Sequence, residues 1–191
     1  YAGLDTATQT PRAVKVWRAQ PGTDDTASRE RFLQEAQRAM GLDQPAIVRV
    51  FGGGTQTELT FIVMELLAGS TLARYAAAEQ RLPEPLVLDI AAQLAEGLAH
   101  AHRQGVLHRD VKPSNALFDP ATRRAVLTDF GLARAPDAEA SRSGVFIGSP
   151  LYMAPELLAG QPPDARSDLY ALGVLTYELL AGLPPFAGAS M

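Results

Sequence analysis

Five side chains of complementary chemistry fall within eight residues of the stretch LHRDVKPSN, namely His108, Arg109, Asp110, Lys112 and Asn115. The apolar segments GVL and ALF flank this stretch on either side. An aspartate beside cations is suited to staying ionised, and it can orient a hydroxyl group or accept its proton. A solvated turn is the plain alternative, so the stretch needs support from other parts of the chain.

A second carboxylate, Asp129, follows a short apolar segment in the stretch TDFG. Asp129 and Asn115 offer the oxygen ligands that a hard cation such as Mg²⁺ prefers. The three histidines of the chain, His100, His102 and His108, are an alternative set of ligands. However, His100 and His102 are two positions apart on a predicted helix and point in different directions. The sequence therefore favours an oxygen-liganded cation over a histidine site.

Lys15 is one of only two lysines among the 17 basic residues, and the other is Lys112. It lies between Val14 and Val16 in a predicted strand, so it faces the side opposite to these valines. Most strand lysines face water. In a cleft, a compact ammonium group needs an anionic partner, and Glu35 on the next predicted helix is a candidate.

Composition limits the functional classes that fit the chain. Its 191 residues allow one or two domains, and 47% hydrophobic with 20% charged residues is typical of a globular protein. The net charge of −4 and the lack of a basic run give no electrostatic basis for nucleic-acid binding. With no cysteine, the chain forms neither disulfides nor thiolate metal sites. No signal peptide or membrane span is predicted, because charged residues interrupt the most apolar windows, 86–101 and 169–183.

Hydrophobic periodicity places these residues on a series of strands followed by helices. Three glycines, Gly52–Gly54, predict a turn between the second and third strands. A stretch of about twenty residues, 134–153, has little periodicity. This order indicates an α+β protein with a small sheet-rich lobe and a larger helical one. The predicted strands are 11–19, 46–54 and 59–67, and the predicted helices are 26–41, 85–104 and 165–181, with a shorter helical pattern from Ala154.

The segments AVKVW, Glu35, HRDVKPSN, DFG and SPLYMAPE occur in the order of the protein-kinase signature set. The chain thus resembles the catalytic domain of bacterial serine/threonine protein kinases of the eukaryotic-like type, over essentially all of its length. The resemblance implies that YAGL is the strand after a glycine-rich loop, so that this loop precedes Tyr1. It also implies that the last helices of the large lobe follow Met191.

The resemblance implies a bilobal α+β fold, truncated at both ends. The N-lobe, a small β-rich lobe with one helix, would be residues 1–66, and the larger, mostly helical C-lobe would be residues 67–191. Within the C-lobe, the catalytic loop would be 107–116 and the activation segment 129–156.

Nucleotide-binding roles also follow from the resemblance. In the family, the lysine that matches Lys15 binds the α- and β-phosphates of ATP and pairs with the glutamate that matches Glu35. Arginine would keep the charge, but its planar fork does not fit a site built around a compact ammonium group. The expected adenine contacts are Ala13 and Leu117 on the ring faces, Met64 at the back of the pocket, and the backbone of Glu65 and Leu67.

The resemblance assigns the catalytic roles to the loop residues. Asp110 would orient and deprotonate the acceptor hydroxyl, and Lys112 would lie near the transferred γ-phosphoryl group. Asn115 and Asp129 would hold the Mg²⁺ ions that bridge the phosphates. Lys112, which tyrosine kinases typically lack, and Ser149 before Pro150 indicate serine or threonine as the acceptor.

Further family features concern regulation and support. Arg109 and Arg134 would bind a phosphate on the activation segment, with Ser141 and Ser143 as candidate acceptors for autophosphorylation. The residue that matches Asp168 in the family hydrogen-bonds the catalytic-loop backbone. Glu156 resembles a glutamate whose arginine partner lies in the late helices, so it is expected to be unpaired here.

The resulting expectation is an ATP- and Mg²⁺-dependent serine/threonine protein kinase that acts on protein substrates. The resemblance allows a kinase homodimer for autophosphorylation in trans, and it implies a cytoplasmic domain whose full-length parent can be membrane-anchored. A nucleotide-binding pseudokinase or signalling scaffold is the alternative, although Lys15, Asp110, Asn115 and Asp129 are all present. A small-molecule kinase is a third reading, which Lys112 and the DFG and APE segments disfavour.

Overall fold

The computed structural model describes residues 1–18, 26–56, 59–130 and 150–186. Its first part contains four strands, β1 (Ala2–Asp5), β2 (Thr10–Trp17), β3 (Val50–Gln56) and β4 (Leu59–Glu65), and one helix, α1 (Thr26–Met40). The strands form one antiparallel sheet in the order β1-β2-β4-β3, and α1 packs against it. The β1 strand at YAGL, the β2 and β4 strands and the α1 helix agree with the prediction from sequence.

The two faces of β2 are distinguished by their partners on β4. Lys15 pairs with Ile62, and Ile62 is buried in an apolar cluster with Phe32 of α1. Val14 pairs with Val63, so these two side chains lie on the opposite face of the sheet. As predicted from the alternation, Lys15 points away from its flanking valines, and it does so on the side of the sheet that α1 covers.

The prediction of a turn at Gly52–Gly54 is wrong, because these glycines are part of β3. They pair with Val63, Ile62 and Phe61 of β4 in an extended ladder. A Cβ atom on Gly53 would lie 2.9 Å from the carbonyl oxygen of Phe61, so the close approach of the two strands requires glycine at this position. Turn propensity was therefore outweighed by strand pairing, which three consecutive glycines do not reveal in a sequence.

The predicted strand 46–54 also begins too early, since β3 starts only at Val50. The preceding residues pair instead with the second part of the chain. The amide of Val48 donates to the carbonyl oxygen of Leu127 at 2.9 Å, and the amide of Leu127 donates to that of Ala46 at 2.8 Å. This parallel bridge ties the segment after α1 to the helical part of the protein.

The second part contains a small sheet and two long helices. The sheet is antiparallel, and its three strands follow one another in chain order. Short 3-10 helices lie at Leu72–Ala76, Ala78–Gln80, Pro113–Asn115 and Pro150–Tyr152. The regular elements are β5 (Ser70–Thr71), β6 (Ala116–Asp119), β7 (Arg124–Leu127), α2 (Glu84–Arg103), α3 (Pro155–Leu158) and α4 (Ala165–Ala181).

The long helices begin and end where local chemistry dictates. The glycines expected at their C-terminal ends, Gly105 and Gly182, have positive φ angles of 72° and 86°. Asp164 caps the N-terminus of α4 in a reciprocal capping box with Ser167. Apolar side chains of α2 and α4 form the main core, to which β6 and β7 contribute. No helix in the described part combines the length and the apolarity needed to cross a membrane.

Candidate active site

The three predicted catalytic residues of the loop are in direct contact. Lys112 Nζ lies 2.7 Å from Asp110 Oδ2. Asn115 Nδ2 donates to the same oxygen at 2.7 Å and to the backbone carbonyl oxygen of Asp110 at 2.9 Å. Asn115 is 9% exposed and ends the short 3-10 helix that leads into β6. The Asp110 carboxylate is therefore held by one cation and one amide, and its orientation is fixed.

A buried carboxylate beneath the loop fixes the backbone that carries Asp110. Asp168, in the first turn of α4, is 3% exposed. Its Oδ2 accepts from the His108 amide and its Oδ1 accepts from the Arg109 amide, both at 2.8 Å. Arg109 has a φ of 68°, which a non-glycine residue adopts only when its surroundings stabilise it. This geometry confirms the expected contact between Asp168 and the loop backbone.

His108 is fully buried and packs on Phe130, with 4.6 Å between the ring centroids. Its Nε2 lies 2.9 Å from the carbonyl oxygen of Thr128, and its Nδ1 accepts from the Asp110 amide at 3.3 Å. Nε2 therefore carries the proton and the ring is neutral. Burial lowers the pKa of His108, and the nearby carboxylates, first that of Asp168, oppose this shift. Sequence reasoning weighed this histidine only as a metal ligand and missed its structural role.

No three histidine or carboxylate side chains converge on a common point in the described residues. The histidine metal site that was weighed from the sequence is not formed there. His102 Nε2 instead lies 2.8 Å from Asp168 Oδ2, and His100 Nε2 contacts the Gln104 side-chain amide at the surface, also at 2.8 Å.

Lys15 and Asp129 form an ion pair across the site. The distance from Lys15 Nζ to Asp129 Oδ1 is 2.6 Å, and both side chains are about one-third exposed. Asp129 has a φ of 61°, so it adopts the left-handed conformation, as Arg109 does. The backbone of Glu35 lies in α1, but its side chain is outside the described residues, as is its expected pairing with Lys15. The cation predicted to bind phosphate thus has a described partner that sequence reasoning did not propose.

The residues expected around adenine lie on neighbouring strands. Ala13 of β2 pairs with Met64 of β4, and Met64 lines a cavity of about 20 Å³ together with Asp129. The Glu65 amide donates to the Arg49 carbonyl oxygen at 2.8 Å, so this amide is already engaged within the protein.

Two further members of the expected adenine set lie after β4 and in the second sheet. Leu67 comes just after β4, and Leu117 is in β6, paired with Val126. Both side chains are partly exposed, as residues lining an open cleft would be.

The Glu65 side chain links the end of β4 to β7. Arg124 donates to both of its oxygens, from Nη1 to Oε1 at 2.5 Å and from Nη2 to Oε2 at 3.1 Å. Arg124 Nε also donates to the carbonyl oxygen of Pro45 at 2.8 Å. The Arg124 guanidinium holds the pKa of Glu65 below its ordinary value, against the effect of partial burial. One arginine therefore joins three segments of the chain.

The oxygen atoms available to a cation come from Asn115 and Asp129. Asn115 Nδ2 is engaged by Asp110, so the side-chain oxygen Oδ1 is the atom of this amide that can act as a metal ligand. Asp129 uses Oδ1 for Lys15 and retains Oδ2. One neutral and one anionic oxygen suit Mg²⁺, which commonly takes few protein ligands beside phosphate oxygens.

Three residues expected to take part in regulation, Arg134, Ser141 and Ser143, lie outside the described residues, and so does Ser149, which was expected to indicate the type of acceptor. The end of the expected activation segment, residues 150–156, is described. Glu156 was expected to be unpaired, but its Oε1 accepts from Ser167 Oγ at 2.8 Å. Tyr152 donates to Glu178 of α4 at 2.5 Å, and burial raises the pKa of this tyrosine. Two contacts thus anchor the end of the segment to α4.

The fold and four polar residues together indicate the class of protein. These residues are Lys15, Asp110, Asn115 and Asp129. The chain belongs to the protein kinase domain family, whose sequence model matches residues 1–191. The α+β kinase fold and the family that the motifs indicated are therefore confirmed.

Individual relatives agree with this assignment. The chain is 40% identical over 186 residues to the serine/threonine-protein kinase PkaB of Streptomyces coelicolor, a match that covers 93% of this chain and 44% of that protein. It is 39% identical over 191 residues to PknL of Mycobacterium tuberculosis, covering 100% of this chain and 47% of that protein. The chain thus spans about half the length of the curated relatives it matches.

A solved structure with a similar fold is the kinase Rad53, residues 1–466, in complex with AMP-PNP. The two superpose with a TM-score of 0.75 at 28% sequence identity, over 100% of this chain and 46% of that one.

Proposed function

We propose that this domain transfers the γ-phosphoryl group of ATP to serine or threonine hydroxyls of protein substrates. The observation that carries the proposal is the Asp110 carboxylate, fixed by Lys112 at 2.7 Å and by Asn115 at 2.7 Å. An oriented carboxylate next to a cation is the arrangement that phosphoryl transfer to a hydroxyl requires. The names of the bacterial relatives, which are serine/threonine-protein kinases, support the same activity.

In the proposed reaction, Asp110 accepts a hydrogen bond from the acceptor hydroxyl and aligns its oxygen with the γ-phosphorus. The new oxygen–phosphorus bond forms as the bond to the β–γ bridging oxygen breaks, ADP leaves, and the hydroxyl proton passes to Asp110. Lys112 stabilises the negative charge on the transferred group. Catalysis thus rests on positioning and electrostatics, with no covalent enzyme intermediate.

Asn115 and Asp129 are the proposed ligands for Mg²⁺. When bound, the metal neutralises charge on the β- and γ-phosphates. Asn115 would serve two purposes in this arrangement, since its side-chain nitrogen orients Asp110 and its side-chain oxygen would be the metal ligand. Lys15 is the proposed partner of the α- and β-phosphates, and its present contact with Asp129 keeps the ammonium group at this end of the site.

The remaining nucleotide contacts are also proposals. Glu35 would hold Lys15, and the adenine ring would lie between the small or apolar side chains of the two sheets. Apolar side chains suit the faces of a nucleobase, and backbone groups after β4 would provide its polar edge with partners. The proposed adenine set is Ala13, Met64, Glu65, Leu67 and Leu117.

The proposed lobe boundary is the segment after β4, with residues 1–66 as the N-lobe and 67–191 as the C-lobe. The catalytic loop would be 107–116 and the activation segment 129–156. The proposed regulation is phosphorylation of Ser141 or Ser143, whose phosphate group Arg109 and Arg134 would bind. One kinase molecule would phosphorylate the other within a homodimer. A cytoplasmic location of the domain in a membrane-anchored parent is proposed from the family resemblance alone.

Serine or threonine is the proposed acceptor because the loop with Lys112 resembles the serine/threonine-kinase form, and the relatives' names agree with this. A pseudokinase or scaffold is disfavoured, since all four residues with proposed catalytic, phosphate-binding or metal-binding roles, Lys15, Asp110, Asn115 and Asp129, are present.

The test compares the full-length protein with its Asp110→Asn variant, incubated with Mg²⁺-ATP and a protein substrate. We expect phosphoserine or phosphothreonine with the wild type and a loss of at least a hundredfold in the variant. Asp119→Asn is the matched control, because among the described residues the Asp119 carboxylate accepts hydrogen bonds from the turn residues Ala121 and Thr122. Equal phosphate incorporation in wild type and Asp110→Asn, or none in either, would refute the proposed activity.

A further inference from the structure

Glu65, the last residue of β4, is held by both its backbone and its side chain. Its amide donates to the Arg49 carbonyl oxygen at 2.8 Å. Its carboxylate accepts from Arg124 Nη1 at 2.5 Å and from Arg124 Nη2 at 3.1 Å, and both side chains are at most 33% exposed. A bidentate pair fixes direction as well as distance, because the planar guanidinium matches the two carboxylate oxygens.

The backbone on either side of Arg124 is anchored to α2. Gln93 Nε2 donates to the Arg123 carbonyl oxygen at 3.0 Å, and the Ala125 amide donates to Gln93 Oε1 at 2.9 Å. The Arg124 side chain thus extends from a strand that is fixed to the helical part of the protein. It reaches the end of β4 and, at 2.8 Å, the Pro45 carbonyl oxygen.

The direction in which the chain leaves the first sheet depends on how Glu65 is held. β4 ends at this residue, and β5 begins only at Ser70. The backbone of residues 65–67 is also the part of the chain proposed to bind the polar edge of adenine. Because hydrogen bonds weaken steeply when donor and acceptor are misaligned, a small rotation at Glu65 would lower the affinity for adenine.

We propose that Arg124 is a positioning residue for the adenine group of ATP, which fixes the Glu65 carboxylate and thereby the backbone of residues 65–67. The inference rests on the proposed function, because it assumes that this backbone binds adenine. Arg124 does not touch the nucleotide, and its effect passes through Glu65. Lys15 and Asp110, with proposed roles at the phosphates and the acceptor, are held by other contacts. Arg124 should therefore affect binding of the adenine end of ATP and not of its phosphates.

Arg123 offers a matched control one residue away. It reaches Asp89 at 3.3 Å in a largely exposed pair. Replacing either arginine by methionine removes one guanidinium from the same part of the chain, but only Arg124→Met releases the Glu65 carboxylate. Arg124→Lys is the conservative variant, which keeps the charge although a single ammonium group does not reproduce the bidentate contact.

The experiment uses full-length protein and measures binding at the two ends of the nucleotide separately. Isothermal titration calorimetry gives the Kd of adenosine and that of Mg²⁺-tripolyphosphate, and steady-state phosphorylation of a peptide gives kcat and the KM for ATP. For Arg124→Met we expect the adenosine Kd and the KM for ATP to rise about fivefold, the lower end of the usual coupling between two sites. The tripolyphosphate Kd and kcat should change less than about twofold. Arg123→Met should match the wild type, and Arg124→Lys should raise the adenosine Kd at least about twofold.

A double variant tests whether the effect passes through the ion pair. Glu65→Met alone should raise the adenosine Kd about as much as Arg124→Met does. The combination of both changes should again give about fivefold rather than about 25-fold, because the two side chains make one shared interaction. Additive losses would show that Arg124 acts by another route and would contradict the proposal.

Wild-type affinity for adenosine in Arg124→Met would overturn the proposal. Equal weakening of adenosine and tripolyphosphate would overturn it too, because it would reflect a general change of the site. Thermal unfolding checks that each variant is folded at the assay temperature, and if Arg124→Met is not, wild-type adenosine affinity in Arg124→Lys is the contrary result. A wild type that binds adenosine but transfers no phosphate would refute the proposed function and leave this inference standing, whereas a wild type that binds no adenosine would refute the inference itself.

Discussion

Lys15 Nζ lies 2.6 Å from Asp129 Oδ1, although the two residues are 114 positions apart in the chain. The contact joins the strand β2 of the first sheet to the residue two positions beyond β7. The proposed phosphate-binding cation and a proposed metal ligand are thus held together by their own opposite charges. Binding of a nucleotide with its metal would replace this contact, since each partner gains a new ligand of opposite charge.

Replacement of Lys15 by arginine is expected to lower phosphoryl transfer at least tenfold while the fold remains stable. The charge is kept, but the planar guanidinium cannot take the place of a compact ammonium group at 2.6 Å from Asp129. Kinetic constants and thermal unfolding of full-length protein measure the two effects. Arg12→Lys, on the opposite face of the same strand, is the control. Wild-type activity in Lys15→Arg would mean that Lys15 has no specific role.

Acidification is expected to destabilise the protein through His108. Burial lowers the pKa of His108 below its ordinary value of 6.5, so below that pH the unfolded chain binds a proton that the folded protein does not. The contribution of the neutral His108 imidazole to stability is fully present above pH 6.5. It is lost as the pH falls towards the pKa of His108 in the folded protein, by at most about 1.4 kcal/mol per pH unit. Urea unfolding between pH 7 and 5 measures this effect. The free energy of unfolding should fall less steeply with decreasing pH for His108→Gln than for wild type.

The control for this pH effect is His100→Gln, because His100 is only partly buried and its ring contacts the Gln104 side chain. Its unfolding free energy should follow the wild-type pH dependence. Parallel curves for wild type and His108→Gln would show that the buried imidazole does not set the acid sensitivity.

Two adjacent arginines are expected to differ in their contribution to stability. Arg124→Met removes a bidentate pair with Glu65 and a bond to the Pro45 carbonyl oxygen, and should cost about 1 kcal/mol after allowance for the partial exposure of both groups. Arg123 reaches Asp89 at 3.3 Å in a largely exposed pair, so Arg123→Met should change the unfolding free energy by less than about 0.5 kcal/mol. Denaturant unfolding measures both, and equal values would contradict the role assigned to Arg124.

Two neighbouring glycines of β3 provide a similar comparison. A Cβ atom on Gly53 would lie 2.9 Å from the Phe61 carbonyl oxygen, whereas one on Gly52 would have no atom within 4 Å. Gly53→Ala should therefore destabilise the protein by about 1–3 kcal/mol, and Gly52→Ala should be neutral or slightly stabilising, because alanine has less freedom in the unfolded chain. A Gly53→Ala variant as stable as Gly52→Ala would show that the strands can separate at no cost.

The sequence was sufficient for those features in which local chemistry and tertiary structure agree. Helices α2 and α4 have clear periodicity and glycines at their ends, and β2 alternates. The spacing of HRDVKPSN and DFG led to Asp110, Asn115 and Asp129, because the family keeps these residues in a fixed order.

Long-range contacts between residues of unremarkable sequence could not be predicted. Nothing local indicates that Gly53 faces a carbonyl oxygen of the next strand, or that Arg124 reaches Glu65. The two histidines of α2 point in different directions, but nothing local shows that one contacts a buried carboxylate and the other a surface amide. Burial and direction decide such roles, and both depend on the packing of distant segments.

The backbone bridge between Ala46, Val48 and Leu127 has a mechanical consequence. It anchors the chain just after the C-terminal end of α1 to β7, so in a rotation of the first part about this bridge the far end of α1 would move the most. The 15 residues of α1 then act as a lever arm of about 22 Å, and a turn of about 10° would carry its far end about 4 Å while the anchored end scarcely moves. Small angular changes at the bridge are thereby amplified along the helix, towards Thr26.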